Sequence, residues 1–256
     1  MTYIVQLKET VADDGFPVIP MPNPLETAVY QSRSLLRWWR PTLGVPLTTS
    51  WTDRRSGNAA TLIRQAPAVV MTDATLNVPY ANWPTETQTG VYATPEDVLT
   101  GATGVTFAWV GKLAPGARSV AQAVLGNATH LNSSYAGYSM SSESILFRNN
   151  ASSSFIVTPL PNPEAIHLII ASLDFASNTG AVYIDGTQVA TGTSSPDFSS
   201  NRISIGGVTG NGSDVTATAF KGDLYDIWVY GSALHLAENA DQLAALNALA
   251  VARYHV

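Results

Sequence analysis

The sequence predicts an all-β fold, and three observations lead to this prediction. Short stretches of alternating apolar and polar residues recur from about residue 35 onward. Gly, Asn, Asp and Pro separate them, and this spacing is typical of a sandwich or a barrel. No alternation of strand, helix and strand is visible, so a parallel α/β sheet is not expected.

The strands are predicted one by one from these alternating stretches. The dipeptide Asp185-Gly186 predicts a tight hairpin, because both residues tolerate the positive φ angles of a type I′ turn. The clearest predicted strands are GVTFAWVGKL, SVAQAVLG, YSMSSE, SILFRN, SFIVTP, AIHLIIASLD, GAVYIDG, TQVATG, RISIGGV and AFKGDLYDIWVYG.

One helix is predicted, at about residues 233–252. Leu236, Leu243 and Leu246 recur there at helical spacing. His235 stands at the expected N-cap, and Glu238 follows three residues later, as in half of a capping box. The alanine-rich face of this helix suits close packing on a sheet.

Residues 1–34 differ from the rest and predict an extended N-terminal arm. TYIVQLKE alternates like a strand, and GFPVIPMPNPLE carries prolines, which fix φ and donate no backbone hydrogen bond. A loose tail is one interpretation. The other is an assembly arm that lies on a neighbouring subunit and adds its first strand to another sheet. Apolar arm residues favour the second interpretation: Tyr3, Val5, Leu7, Phe16, Val18, Ile19 and Met21.

The composition restricts the partners of the protein. Charged residues make up 12% of the 256 residues, against about 25% in an average soluble protein. Either much of the surface contacts neighbours, or Ser, Thr and Asn solvate it in place of charged groups. The net charge of −6 and the scattered basic residues argue against nucleic acid. There are no cysteines, which excludes disulfides and thiolate chemistry.

The sequence shows neither a signal peptide nor a membrane span. The first residues, MTYIVQLKETVADDG, have no basic region followed by a long apolar core. No apolar run approaches the roughly 18 residues of a transmembrane helix. We therefore expect synthesis in a host cytoplasm.

Five sequence elements occur in a fixed order between Trp38 and the end of the chain. They are a leading Trp (Trp38 or Trp39) with WTDRRSGNA, which has one extra Arg; VTFAWVGKL; HLIIASLDFASNTGAVYIDGTQVATG; ISIGG; and FKGDLYDIWVYG before the helix. With these elements residues 35–256 resemble the concanavalin A-like, laminin-G-like jelly-roll family. The resemblance implies a two-sheet antiparallel jelly-roll sandwich, preceded by the arm and ending in the helix.

No catalytic residues are predicted, and we expect the protein not to be an enzyme. Glycoside hydrolysis needs two carboxylates about 5–10 Å apart. Asp223 and Asp226 are an odd number of residues apart in a predicted strand, so we expect them on opposite faces. Tyr225, Ile227 and Val229 are expected to point into the sandwich. The four histidines have no motif partner, and no Gly-x-Ser-x-Gly motif occurs.

Neither a metal nor a cofactor is predicted. Related laminin-G-like modules often bind calcium, which needs about 6–8 oxygen ligands. Asp174, Asp185, Asp197 and Asp214 lie in predicted turns, without the spacing of an EF-hand. We interpret them as turn-forming residues.

Aromatic residues in two segments are the candidate ligand contacts. NATHLNSSYAGYSM places Tyr135 and Tyr138 beside Asn132, and NVPYANWPTE contains Tyr80 and Trp83. Exposed rings stack on sugars, although aromatic side chains more often pack in cores and interfaces. The candidate binding residues are Trp83, Asn132, Tyr135 and Tyr138.

Three functional hypotheses follow. The family includes glycan binders, adhesion domains, glycosidase appendages and virion proteins, so the fold alone does not select one. The first hypothesis is a structural or accessory virion protein of a tailed phage, located on the capsid or the tail and anchored by its arm. Its partners would be other virion proteins and copies of itself, for example in a trimer. The second is a glycan-binding host-attachment module, and the third is a hydrolase with an unrecognised site.

Overall fold

Two antiparallel β-sheets and a pair of helices make up the described part of the chain. The computed structural model describes residues 23–64, 66–83, 90–115, 122–127, 135–139, 144–148, 154–193, 202–207 and 220–256. The helices are α1 (Pro24–Tyr30) and α2 (Ala240–Tyr254), with a single 3-10 turn at Ala237–Asn239. The strands are β1 (Leu35–Trp39), β2 (Ser50–Thr52), β3 (Ala59–Arg64), β4 (Val69–Asp73), β5 (Val78–Trp83), β6 (Val91–Ala93), β7 (Gly104–Leu113), β8 (Gln122–Asn127), β9 (Tyr135–Ser139), β10 (Ser144–Arg148), β11 (Ser154–Pro159), β12 (His167–Asp174), β13 (Thr179–Ile184), β14 (Thr187–Thr193), β15 (Ile203–Ile205) and β16 (Gly222–Tyr230).

The chain crosses repeatedly between the two sheets. The first sheet has the spatial order β14-β13-β12-β7-β16-β5-β4, and β1 also pairs with β16. The second sheet has the order β11-β10-β9-β8-β15-β6-β3-β2. Spatial neighbours that are distant in sequence, such as β7 and β16, are typical of a jelly roll. The predicted all-β jelly-roll sandwich is therefore confirmed.

The predicted hairpin between β13 and β14 is also confirmed. Asp185 and Gly186 both have positive φ angles, 49° and 79°, between the paired residues Ile184 and Thr187. The Asp185 carboxylate accepts a hydrogen bond of 2.8 Å from the Leu168 amide and lies 2.7 Å from a ring nitrogen of His167. Asp185 therefore stabilises the turn and the start of β12.

Aromatic rings fill the core between the sheets. Trp39, Trp51, Trp83 and Trp109 are at most 2% exposed. The Trp83 ring lies 6.1 Å from that of Trp51 and 6.2 Å from that of Tyr92. Rings at these separations add specific edge contacts to the burial of large apolar areas. The core therefore gains much of its stability from aromatic packing.

The helices cover part of the outer face of the first sheet. Leu246 and Leu249 of α2 lie in one buried cluster with Ile170 and Trp228 of the sheet. The short helix α1 packs on α2 and contributes Val29, which is fully buried. Of the described helices, neither is long and apolar enough to cross a membrane.

The start of α2 differs from the sequence prediction. The α-helix begins at Ala240, after the 3-10 turn, and ends at Tyr254. His235 is not its N-cap, because Asn239 occupies that position. The ring of His235 instead lies 2.9 Å from the Ser172 hydroxyl of β12. A tertiary contact thus replaces the predicted cap.

The last residues of the expected arm belong to the body of the fold. Asn23 caps α1 by accepting a hydrogen bond of 2.9 Å from the Leu25 amide, and Pro24 occupies the first turn. Residues 24–30 are helical rather than extended. Residues 1–22, with all seven predicted arm contacts, lie outside the described residues, so the arm itself stays a prediction.

A β-bulge in β16 overturns two expectations about side-chain direction. The pairing with β7 shifts register between Leu224 and Asp226. Leu224, rather than Tyr225, packs between the sheets, while Tyr225 lies in the outer cluster under the helices. An extra residue in a strand reverses the alternation that follows it. Consequently Asp223 and Asp226 share the outer face, where opposite faces had been predicted.

A fully buried carboxylate joins the outer face to both helices. Asp226 accepts hydrogen bonds from Trp38 Nε1 at 2.7 Å, from Arg40 Nε and Nη2 at 2.8 Å each, and from the Tyr254 hydroxyl. Arg40 also forms an ion pair with Glu26 of α1. Burial opposes the charge of Arg40, but Asp226 outweighs this effect and raises the pKa of the guanidinium. The group therefore remains charged.

We expect Arg40→Met to lower the free energy of unfolding by about 3–5 kcal/mol, because it leaves the buried Asp226 carboxylate without its counter-ion. Arg33→Met is the control, since the Arg33 side chain is 56% exposed: solvent can replace its contacts with Asp241, the Glu238 carbonyl and Asn239 Oδ1, so its loss should cost clearly less. Urea denaturation of both variants measures the difference. Equal stability losses would contradict this role of Arg40.

Candidate functional site

Four side chains form a polar and aromatic surface on the outer face of the first sheet. They are Tyr80 and Asn82 of β5, Lys112 of β7 and Asp223 of β16, and we call this group the platform. Asn82 is directly opposite Asp223, which is directly opposite Lys112. Tyr80, Asn82 and Lys112 are partly exposed, so the platform is accessible from solvent.

Strand alternation and the bulge place these residues on one surface. Ala81 and Trp83 point into the core, so Tyr80 and Asn82 point outward. The bulge is accommodated opposite Gly111, where a Cβ atom would lie 2.6 Å from the Asp223 carbonyl oxygen. Gly111 therefore permits the close approach of β7 and β16 that aligns the platform.

Hydrogen bonds hold the polar part of the platform. Asn82 Nδ2 donates to Asp223 Oδ1 at 2.7 Å, and Lys112 Nζ lies 3.5 Å from Asp223 Oδ2. Burial raises the pKa of the Asp223 carboxyl, and the negative charge of Asp73 adds to this increase. Together these effects outweigh the contacts with Asn82 and Lys112. Asp223 thus holds the side chains of Asn82 and Lys112 in fixed positions on this face.

The aromatic part of the platform continues to the end of α2. The Tyr80 ring lies 5.3 Å from the Tyr225 ring, which lies 5.5 Å from the ring of Tyr254. The Tyr225 hydroxyl donates to Asp73 at 2.8 Å. This row of tilted and edge-on rings fixes Tyr80 in position while leaving part of its ring exposed.

The arrangement has the chemistry of a polyol-binding surface. A partly exposed tyrosine ring can pack on the apolar face of a sugar ring. The adjacent amide, carboxylate and ammonium groups supply both donors and acceptors for hydroxyl groups. Asp73 is less available, because the Thr75 and Leu76 amides and the Tyr225 hydroxyl all donate to it.

The structure corrects one of the predicted ligand contacts. Trp83 is fully buried in the core, and its Nε1 donates to the Gly90 carbonyl at 2.8 Å, so its ring cannot stack on a ligand. Tyr80, from the same segment, takes the exposed position. Strict alternation along β5 could have distinguished them, because they are an odd number of residues apart.

The side chains of the other predicted contacts are not described by the structure. Tyr135 and Tyr138 belong to β9 of the second sheet, and their side chains lie outside the described part of the structure. Asn132 lies outside the described residues altogether. These three residues therefore stay predictions.

The loop aspartates that the structure describes serve as turn residues. Asp174 accepts hydrogen bonds from the amide and the hydroxyl of Ser177, at 2.7 and 2.6 Å. Asp197 and Asp214 lie outside the described residues. Within the described ranges, no three His, Asp or Glu side chains are grouped so that they could hold a metal ion.

The WTDRRSGNA element has a structural role. Asp53 is buried and accepts hydrogen bonds from the backbone amides of Trp38, Arg55 and Ser56, at 2.6, 2.9 and 2.8 Å. These contacts close the turn and attach it to β1. The motif therefore stabilises the fold and leaves the platform as the candidate site.

A model of the concanavalin A-like lectin/glucanases superfamily, Laminin_G_3, matches residues 86–238 of the sequence. A search of curated proteins found no match. The sequence resemblance to this family, which rested on the motif order, is thus confirmed independently.

Solved structures of low sequence identity share the fold. Domain 4 of AbnA, an arabinanase of Geobacillus stearothermophilus solved with arabinotriose, has a TM-score of 0.59 and 15% identity, over 82% of this chain and 98% of that domain. A botulinum neurotoxin type C structure has a TM-score of 0.58 and 10% identity, over 88% of this chain. A Trypanosoma rangeli sialidase has a TM-score of 0.55 and 13% identity, over 84% of this chain and 32% of that protein. The chain spans about half, 53%, of the neurotoxin structures.

We expect Trp83→Ala to lower the free energy of unfolding by about 3–5 kcal/mol, because it removes a large side chain from the packed core. Tyr80→Ala should cost clearly less, since the Tyr80 ring already contacts solvent. Thermal and urea denaturation of the two variants measure the contrast. A Trp83→Ala protein of unchanged stability would contradict the assignment of this ring to the core.

Proposed function

Because the chain belongs to the concanavalin A-like lectin/glucanases superfamily, whose model matches more than half of it, we propose that it is a non-catalytic glycan-binding module. We propose further that a tailed phage or a similar particle carries this module on its surface. The sandwich would face outward, and the N-terminal arm would anchor it to other virion proteins.

The platform is the observation that carries the glycan-binding proposal. It combines a partly exposed ring, Tyr80, with the hydrogen-bonding groups of Asn82, Asp223 and Lys112 on a rigid sheet. Sites on regular elements are held more accurately than sites on loops, and their side chains lose less entropy when they bind. A sheet surface of this kind suits an extended saccharide chain.

Two structural neighbours support the ligand class. The AbnA domain was solved in complex with arabinotriose, and cell entry of botulinum neurotoxin type C depends on interaction with two ganglioside molecules. Both ligands contain sugars, although their chemistry differs. The fold is thus compatible with saccharide recognition, and this chain's own ligand follows from its platform.

The local environments of the outer-face carboxylates support a binding role over a catalytic one. Asp226 is fully buried and already accepts four hydrogen bonds. Asp73 closes the turn between β4 and β5. A hydrolase needs one carboxyl group as proton donor and another as base or nucleophile beside the same bond. Asp223 is then left as a ligand contact without a free carboxylate partner.

The virion proposal depends on the sequence rather than on the platform. A low content of charged residues, 12%, suits a protein with much of its surface in contact with neighbours. Three prolines, at 17, 20 and 22, suit an extended segment that becomes ordered on other subunits. Such an arm would bury its apolar residues, Phe16 to Met21, in the assembled particle.

We expect saturable binding on a glycan array, and Tyr80→Ala should weaken the affinity by about tenfold or more through the loss of ring stacking. Tyr30→Ala is the matched control, because Tyr30 is also a partly exposed tyrosine, at 41%, but lies on α1. Titration calorimetry with the best array ligand measures both affinities. Binding that survives Tyr80→Ala and Asn82→Ala unchanged would exclude the platform. New reducing ends released from the ligand would contradict the non-catalytic assignment.

We expect the protein to copurify with intact virions and residues 1–22 to resist protease there but not in the isolated chain at dilutions at which it is monomeric. Burial against other subunits would protect them. Mass spectrometry of timed digests measures the cleavage, with the surface of the sandwich as internal reference. Absence from purified particles, or equal cleavage in both states, would contradict the virion role without affecting the glycan test.

A further inference from the structure

The edge of the first sheet that is formed by β4 carries an unusual amount of exposed apolar surface. Strand β4 pairs with β5 along one side, and no strand among the described residues covers its other side. Val69 and Met71 of this strand are 54% and 44% exposed, and Leu43 and Val45 of the loop between β1 and β2 are 66% and 52% exposed. Isolated apolar residues are common on surfaces, but a group beside an open strand marks an interaction site.

A cavity of about 410 Å³ lies beside this strand. Its apolar lining, which we call the trough, consists of Val45, Pro46, Leu47, Pro67, Val69 and Val70. The free edge of β4, which no described strand pairs with, therefore lies next to a recess that can accept side chains. These are the two components of recognition by strand addition, in which the backbone supplies affinity and pockets supply selectivity.

The other end of the same sheet is different. Its last strand, β14, has the sequence TQVATGT, which is mostly polar, and it contacts β11 of the second sheet. Proteins usually prevent unwanted pairing of an edge strand by making the strand polar or by packing another element against it. The contrast indicates that β4 is left open for a specific partner.

We propose that β4 and the trough bind residues 3–8 from the N-terminal arm of a second copy of this chain. The stretch Tyr3–Lys8 alternates, with Tyr3, Val5 and Leu7 on one side, so it can add one strand and bury three apolar side chains. Its six residues match the five of β4. This inference goes beyond glycan binding and assigns the arm a docking surface.

The origin of the arm favours exchange between copies. Asn23 is fixed at the start of α1, because α1 packs against α2 through the buried Val29. The prolines at 17, 20 and 22 stiffen the chain just before that point and favour an extended path of about 3.1 Å per residue. An extended spacer of this kind would give residues 3–8 the reach to contact a neighbouring chain. Reciprocal exchange gives a dimer, and cyclic exchange gives a ring such as a trimer.

Cross-linking between full-length chains tests the contact directly, because the natural sequence has no cysteine. Val5→Cys and Val69→Cys chains carrying tags of different size are mixed and treated with a short bis-maleimide. We expect a product that contains one chain of each kind. Val189→Cys replaces Val69→Cys in the control, because Val189 is also an exposed valine, 41%, but lies on β14. We expect a cross-link between chains in the mixture of Val5→Cys with Val69→Cys, and none in the mixture of Val5→Cys with Val189→Cys.

Self-association provides the second measurement. Val45→Glu places a charge in the trough and should weaken the association by about tenfold or more in sedimentation experiments. Val189→Glu should leave it unchanged, and equal melting temperatures exclude unfolding as the cause. Glycan affinity, measured on the same samples, separates this proposal from the platform.

Three results would overturn the proposal. The first is a full-length chain that stays monomeric at every concentration. The second is association that is unaffected by Val45→Glu. The third is a cross-link that forms within the double variant Val5→Cys/Val69→Cys but not between separate chains, which would locate the arm on its own sandwich.

Discussion

The buried ion pair between Arg40 and Asp226 is the interaction on which the rest of the outer layer depends. Its carboxylate receives donors from β1 and from the last residue of α2, and its guanidinium reaches Glu26 of α1. A carboxylate without exposure is costly unless every oxygen is satisfied. This requirement fixes how both helices sit on the sheet, which apolar packing alone would define less sharply.

The position of the helices determines which part of the sheet remains available. Tyr254, at the end of α2, contacts Tyr225, and Tyr225 contacts Tyr80. At Tyr80 the layer of helices over the sheet ends. Beyond Tyr80 the outer face of the sheet is polar, because the next side chains across the strands are Asn82, Asp223 and Lys112. The same layer that stabilises the sandwich therefore sets the boundary of its candidate binding surface.

Local chemistry in the sequence was sufficient for the fold class, for most of the strands from β7 onward and for the hairpin at Asp185-Gly186, where two adjacent residues determine the backbone. It did not single out β1 to β6 one by one. It was not sufficient for Tyr225, because the bulge depends on close packing of β16 against Gly111, a residue far away in the chain. Strand alternation places Tyr80 and Trp83 on opposite faces of β5, so only one of them can be exposed. The sequence prediction chose Trp83 as the ligand contact, because both are aromatic residues in the same segment. Sequence patterns report local preferences, whereas the direction of a side chain after a bulge is a tertiary property.

Along one edge, β16 pairs with two strands. Residues Ile227–Tyr230 pair with β1, and residues Gly222–Leu224 pair with β5. Strands from the beginning and the end of the chain therefore meet in the middle of one sheet, with Trp39 facing Ile227. Contacts of such high sequence separation slow folding, because the loop must close before they form. All residues from β1 to β16 must be synthesised before these strands can pair. Until then the inner surfaces of β1, β5 and β7 are exposed to aggregation, so successful maturation depends on rapid completion of synthesis.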